Sequence, residues 1–329
     1  MPVAASPAQT HHLPSLALRR FAWGVLAYFI AVILWGAVTR ATGAGDGCGN
    51  HWPLCNGTVV QHSPSLDTLI EFTHRITSGI SFFSVVGLMV WTFRTTARGH
   101  LARATSVASV AFTLVEAVLG AFLVKLGLTA QSQSPLRAPY LALHFTNTLL
   151  LVAALTLTAH LLSRTKGYVR SEVRFAAPFA VAAAVVLLLI VGVTGSLAAL
   201  GDTLYPAMSL SAALRQDFCA TSEWLVRWRW THPIAACAAC VFLIWLVIRA
   251  AKRSTLWDNR GLAIGVLVLL AAQYVLGILD VLLLAPLWLQ VLHLLGAEVL
   301  WVALVVLAAR VTLEPVEQRG WRKTAELVD

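Results

Sequence analysis

Apolar residues in this chain come in nearly unbroken runs of about 20, parted by short polar stretches, with neither the alternation of a half-buried strand nor the stripe of a surface helix. Helical rise of about 1.5 Å per residue carries such a run across a bilayer core about 30 Å thick. Eight runs are predicted to span: Phe21 to Thr39, Thr68 to Thr92, Thr105 to Leu126, Ala138 to Leu162, Phe175 to Leu200, Trp224 to Ile248, Gly261 to Leu284 and Leu287 to Val311. The fold class expected is therefore an all-α membrane protein. Arg19 and Arg20 precede the first run in the manner of a signal peptide, but the run is longer than a signal peptide's 7 to 15 residues, so it reads as an uncleaved anchor.

Composition agrees: 58% of the 329 residues are hydrophobic and 12% charged, about half the charged share of a soluble domain. The net charge of +9 does not mark a nucleic-acid surface, because the basic residues are scattered between apolar runs instead of gathered on one wet face. They do report orientation. Arg94, Arg98 and Arg103, then Arg164, Lys166, Arg170 and Arg174, then Arg249, Lys252, Arg253 and Arg260 occupy alternate connections, and basic flanks stay on the cytoplasmic side. Both termini are thus expected in the cytoplasm of a cell with this protein in its surface membrane. The long connections Arg40 to Asp67 and Gly201 to Glu223 are expected outside.

The chain also repeats itself. Trp35-Gly-Ala-Val-Thr39 resembles Val191-Gly-Val-Thr194, Val118-Leu-Gly120 matches Val275-Leu-Gly277, His74 matches His232 and His144 matches His293. A four-span unit starts and ends on one side, so its duplicate keeps the same orientation, and a pseudo-twofold axis along the membrane normal is expected. The division that follows is a tail over 1–20, a four-helix bundle over 21–163, a linker over 164–174, a second bundle over 175–311 and a tail over 312–329.

Of ten histidines, six fall in tails, loops or span ends, and four lie well inside even-numbered spans: His74, His144, His232 and His293. Each is five to eight residues in from the outer end, which sets all four imidazoles about 8 to 12 Å below the outer surface. Ionisable side chains inside a bilayer are costly and usually functional. A single one reads more simply as a hydrogen-bonded core histidine, but four at one depth, two per repeat, point to metal. Two neutral imidazoles on facing helices can hold a planar haem iron from both sides, whereas zinc would require further N, S or carboxylate ligands that neither half offers. Pairing within each repeat gives sites His74/His144 and His232/His293, side by side; pairing between repeats is also geometrically possible.

Glu71-Phe-Thr-His74-Arg75 resembles the Glu-x-x-His-Arg signature of haem A synthases, and Cys48-Gly-Asn-His-Trp-Pro-Leu-Cys55-Asn-Gly is similar to that family's cysteine-bearing first outer loop. With the spans, the repeat and the histidines, the likeness covers all but the tails. It implies an oxidoreductase that turns a ring methyl of haem O into a formyl group, giving haem A for a terminal oxidase. Haem O as substrate would lie between His74 and His144, haem B as cofactor between His232 and His293, and Glu71 would be the catalytic carboxylate. The partners implied are the lipid bilayer, a haem O synthase, an electron acceptor and a second copy of the chain, with no nucleic acid. The second half departs from the signature, reading Thr231-His232-Pro233 with no glutamate or arginine at the matching places.

The residues around these sites have plainer readings as well. Glu71 and Arg75 could be interfacial charges, and Arg75 could equally pair with a haem propionate or hold a nearby carboxylate. Glu116 in span three, matched by Gln273, fits a proton path or an interhelical hydrogen bond. Cys48 and Cys55 can bridge in an oxidising compartment, as a structural staple or as the redox pair the family implies. Cys237 and Cys240 read as small apolar residues within span six. The competing functions are a di-haem b-type cytochrome, for which His100 and His160 would supply an inner pair, and a haem carrier.

Overall fold

A computed structural model describes residues 14–59, 61–164, 173–175, 178–253 and 257–315. Eight helical segments among them are long and apolar enough to cross a membrane, and the chain is an integral multi-pass membrane protein. In order these are α1 (Leu16–Ala41), α2 (Leu66–Thr95), α3 (Leu101–Lys125), α4 (Arg137–Leu162) and α5 (Pro178–Leu204), then α6 (Leu210–Phe218) and α7 (Trp224–Arg227), then α8 (Thr231–Arg253), α9 (Trp257–Leu282) and α10 (Leu287–Thr312). Ser15 and Ser65 cap α1 and α2, accepting from the N–H of Leu18 and of Thr68 and satisfying donors that a helix start leaves open.

Three local features depart from the eight runs. Span six is not one helix: α7 stops at Arg227, residues 228–230 form a turn, and α8 begins at Thr231. Pro233 has no N–H to give to a carbonyl one turn back, so the helical ladder breaks just ahead of it. Phe175, taken as the start of span five, lies instead in a three-residue strand, β1 (Val173–Phe175), which pairs antiparallel with β2 (Leu313–Pro315). Helix α6 is a short amphipathic segment in the second long connection, capped by Ser209.

The core is shared between the two halves. One cluster of buried residues joins Leu18, Val25 and Phe29 of α1, Val85 and Leu88 of α2 and Leu151 and Leu155 of α4 to Trp301, Val305 and Ala309 of α10. A second joins Leu243, Val247, Val266 and Leu270 of α8 and α9 to Leu300, Leu304 and Leu307 of α10. Alternate faces of α10 therefore close two different cores, and the Trp301 indole N–H donates across to the Leu149 carbonyl of α4 at 2.8 Å. Helices α4 and α10 are the most enclosed of the eight, and each carries one of the paired histidines. Outward faces bear exposed Val241, Ile264, Val268 and Ile278, as lipid contact requires.

Cys219, just past α6, is exposed and unbridged. With the orientation read from the basic connections, an impermeant maleimide added to intact spheroplasts is expected to label it, and Cys219→Ser to abolish the label. Labelling that appears only after the membrane is opened would reverse the orientation.

Candidate functional site

His232, at the start of α8, and His293, in the second turn of α10, face each other. Their ring centres are 6.4 Å apart and the planes stand at 84°. An iron holding two imidazoles at the usual bond of about 2 Å separates the ring centres by about 6 to 6.5 Å, so this pair fits a six-coordinate haem iron. Second contacts orient each ring. His232 Nδ1 lies 3.1 Å from the Val191 carbonyl and 3.4 Å from Thr194 Oγ1, and the Gln273 amide lies 3.2 Å from His293 Nδ1 and 3.1 Å from its carbonyl. A proton on His232 Nδ1, given to the Val191 carbonyl, leaves its Nε2 as the ligand nitrogen. Glycine makes the approach feasible. A Cβ built on Gly195 would sit 2.9 Å from His232 Cε1, and one on Gly277 3.3 Å from His293 Cε1.

The first half repeats the plan with different chemistry. His74 of α2 packs on Gly36 of α1, where a Cβ would come within 2.9 Å of its Cε1. His144 of α4 sets Nδ1 3.2 Å from Glu116 Oε1 of α3, off the line of a good hydrogen bond. Glu116 is also held by Asn147 Nδ2 at 2.5 Å and by the Thr148 hydroxyl. It is thus an interhelical brace beside a candidate ligand, and Gln273 takes the corresponding place beside His293. His74 and His144 are near enough for their charges to interact.

Glu71 is 3% exposed, so it is no surface charge at the membrane interface. Arg75 Nε and Nη2 donate to its Oε1 at 3.1 and 2.5 Å, and the Cys48 N–H donates to its Oε2 at 2.8 Å. Arg75 Nη1 in turn donates to the carbonyls of His51 and Leu54 at 2.6 and 2.7 Å. Cys48 and Cys55 form a disulfide, and every one of these loop groups lies inside the ring that it closes. The Thr68 hydroxyl anchors the same loop to α2 through the Gly47 carbonyl at 2.7 Å. Of the two readings of Arg75, the structure has it holding a carboxylate. Three of the roughly four lone-pair sites of Glu71 are occupied, leaving about one for a proton or a substrate.

The remaining residues fall elsewhere. His100 Nδ1 accepts from the Ala102 N–H and caps α3. Cys237 and Cys240 are free thiols. Sequence reasoning did not single out the glycines beneath the imidazoles, although Gly36 and Gly277 stand in the repeated segments, and Gly195 comes directly after one. Nor did it single out Glu298 of α10, which is 1% exposed with neither oxygen hydrogen-bonded among the described residues. Arg40 was missed as well; it ends α1 and reaches across to the second half.

A family model described as cytochrome oxidase assembly protein (COX15-CtaA) matches residues 19–305. A protein of Thermus thermophilus named protoheme IX farnesyltransferase is 40% identical over 291 residues, 88% of this chain and 48% of that protein. Proteins named heme A synthase from Alkalihalophilus pseudofirmus and Staphylococcus epidermidis are 37% and 39% identical over 128 and 124 residues. These two alignments take in 39% and 37% of this chain, and 40% and 38% of those proteins. The chain spans about half or less of the length of these curated relatives.

The loop geometry leads to one expectation. Protein isolated without reductant should yield the Cys48 and Cys55 peptides linked and unalkylated, and Cys55→Ser should lower stability by about 2 to 3 kcal/mol, the value for so small a ring. Two freely alkylated thiols in never-reduced material would refute it.

Proposed function

The chain belongs to the cytochrome oxidase assembly protein family, and on that footing we propose that it oxidises a ring methyl of haem O to a formyl group, giving haem A. The observation carrying this reading is the pairing of two kinds of site in one frame. His232 and His293 stand at the spacing of axial ligands, with no carboxylate among the described residues bonded to either, while His74 lies one helical turn from a buried glutamate. The proposal extends the frame to a pseudo-twofold axis relating the halves.

In this reading His232 and His293 ligate haem B and His74 and His144 bind haem O. A bis-imidazole haem supplies one-electron transfer and has no open position for a gas. Converting the methyl to a formyl group with the oxygen of one water releases four protons and four electrons, so a proton acceptor must stand at the substrate's edge and an electron acceptor outside the chain. Glu71 is the proton acceptor, holding its free lone pair toward the substrate while Arg75 and the Cys48 N–H fix its other positions. Glu116 lies 3.2 Å from His144 Nδ1 and, through Asn147 and Thr148, braces α3 on α4. Prenylation of haem B is the class of reaction that must supply the substrate, and it is the activity for which the longer Thermus relative is named.

That name also raises prenyl transfer as a reading of this chain. Diphosphate departure usually works through carboxylate-held Mg²⁺, and no three candidate ligands come together among the described residues. The histidine pair favours the oxidation.

Two experiments test the assignment. His232→Ala or His293→Ala should lose the low-spin spectrum of the retained haem; either variant purifying with a full spectrum would remove the pair as ligands. Glu71→Gln should keep haem while the ratio of haem A to haem O falls by about 10² to 10⁴, the usual contribution of a general base. Because the Gln amide leaves the Arg75 charge unmatched, the ratio is normalised to haem content. A normal ratio would take Glu71 out of the chemistry.

A further inference from the structure

Four arginines are folded in at the helix ends above the histidines, and their partners differ in kind. Arg75 is neutralised by Glu71 at 2.5 Å. Arg229 is neutralised twice, by Asp202 at 2.7 Å and Asp217 at 2.9 Å. Arg137 donates to the carbonyls of Ala130 and Ser132 in its own connection. Arg40, from the first half, donates through Nη1 to the Ala199 carbonyl at 2.8 Å and Thr203 Oγ1 at 2.7 Å on α5, and through Nη2 to Gln290 Oε1 at 3.0 Å on α10. None of these acceptors carries charge. Among the described residues no carboxylate lies at ion-pair distance from Arg40. Asp202 acts on it only at longer range and is already bonded to Arg229, while Arg137 is near enough to repel it.

The place where this cation is held matters as much as its missing counter-ion. Ala199 lies one helical turn beyond Gly195, on which the His232 ring packs, and Gln290 lies one turn before His293. The guanidinium is therefore pinned directly above the His232/His293 pair by the two helices that flank that pair. Two of its five N–H donors are left without an assigned acceptor. An unmatched charge within a membrane span is expensive and calls for an anion at that spot.

A haem seated between His232 and His293 carries its only negative side chains, two propionates, along one edge. We infer that Arg40 binds a propionate of the haem held by the second half, so that the first half supplies part of the second half's site. The inference rests on the haem reading above. It also accounts for the second half lacking an arginine beside its histidine, where Pro233 stands: a cation comes from α1 instead.

Haem B dimethyl ester, which keeps the ring and iron and loses both carboxylates, provides the test. Apoprotein in a His74→Ala background, which confines ligation to the second pair, is titrated with haem B and with the ester, alone and with Arg40→Gln or Arg40→Lys added. A charge-assisted bond should make the Arg40 protein prefer haem B over the ester by about tenfold to a hundredfold. Arg40→Gln should erase most of that preference, and Arg40→Lys should retain part of it. If Arg40→Gln weakens haem and ester equally, Arg40 is only a brace between halves or the partner of a lipid phosphate, and the inference falls. An unchanged preference overturns it as well. Failure of the Arg40 protein to bind either ligand would instead remove the haem reading itself.

Discussion

Polar groups inside a bilayer-spanning bundle must find partners within the protein, because lipid offers none. An imidazole that is to bind metal through Nε2 carries a proton on Nδ1 that needs an acceptor. At His232 this is the Val191 carbonyl; the Gln273 amide instead donates toward His293 Nδ1, and the Glu116 carboxylate lies 3.2 Å from His144 Nδ1. Each partner sits on a neighbouring helix, so ring orientation depends on how closely two backbones approach. Gly36 and Gly195 permit that approach, since a methyl group at either place would occupy the ring's own space. Packing of the bundle and chemistry of the site are in this sense one requirement.

The halves answer it with the same frame and different charges. Three residues before His74 stands Glu71, and three residues before His232 stands Arg229. Both are turned to the long connection of their own half: Glu71 to the Cys48 N–H and Arg229 to Asp202 and Asp217. Glu116 and Gln273 likewise exchange a carboxylate for an amide at one position. In the first half a carboxylate stands one turn before His74, and another, on the neighbouring helix, lies 3.2 Å from His144. The second half places an amide and a backbone carbonyl against its rings. Such a difference would let one frame hold a reactive ring and an electron carrier side by side.

The sequence made the spans legible because length and apolarity alone decide whether a segment can cross, and α1, α2, α4 and α10 begin and end within a few residues of the runs. Equal depth along the spans singled out His232 and His293, whose rings face each other. What the sequence could not convey were contacts between distant segments. Arg40 and Gln290 are 250 residues apart, and nothing local to either marks the other. The destination of Arg75 was open for the same reason, since a propionate and a carboxylate attract it equally until the loop is placed. The break before α8 did have a local signal in Pro233, outweighed by the length of the apolar run.

Helix α10 bears on how much of the chain the fold requires as well as on how it is packed. Among the described helices it comes last, yet Trp301, Val305 and Ala309 complete the core formed with α1, α2 and α4. Both clusters therefore depend on the last of the described helices. His293 is on that same helix, so a chain stopped short of α10 would lack part of both clusters and one side of the His232/His293 pair.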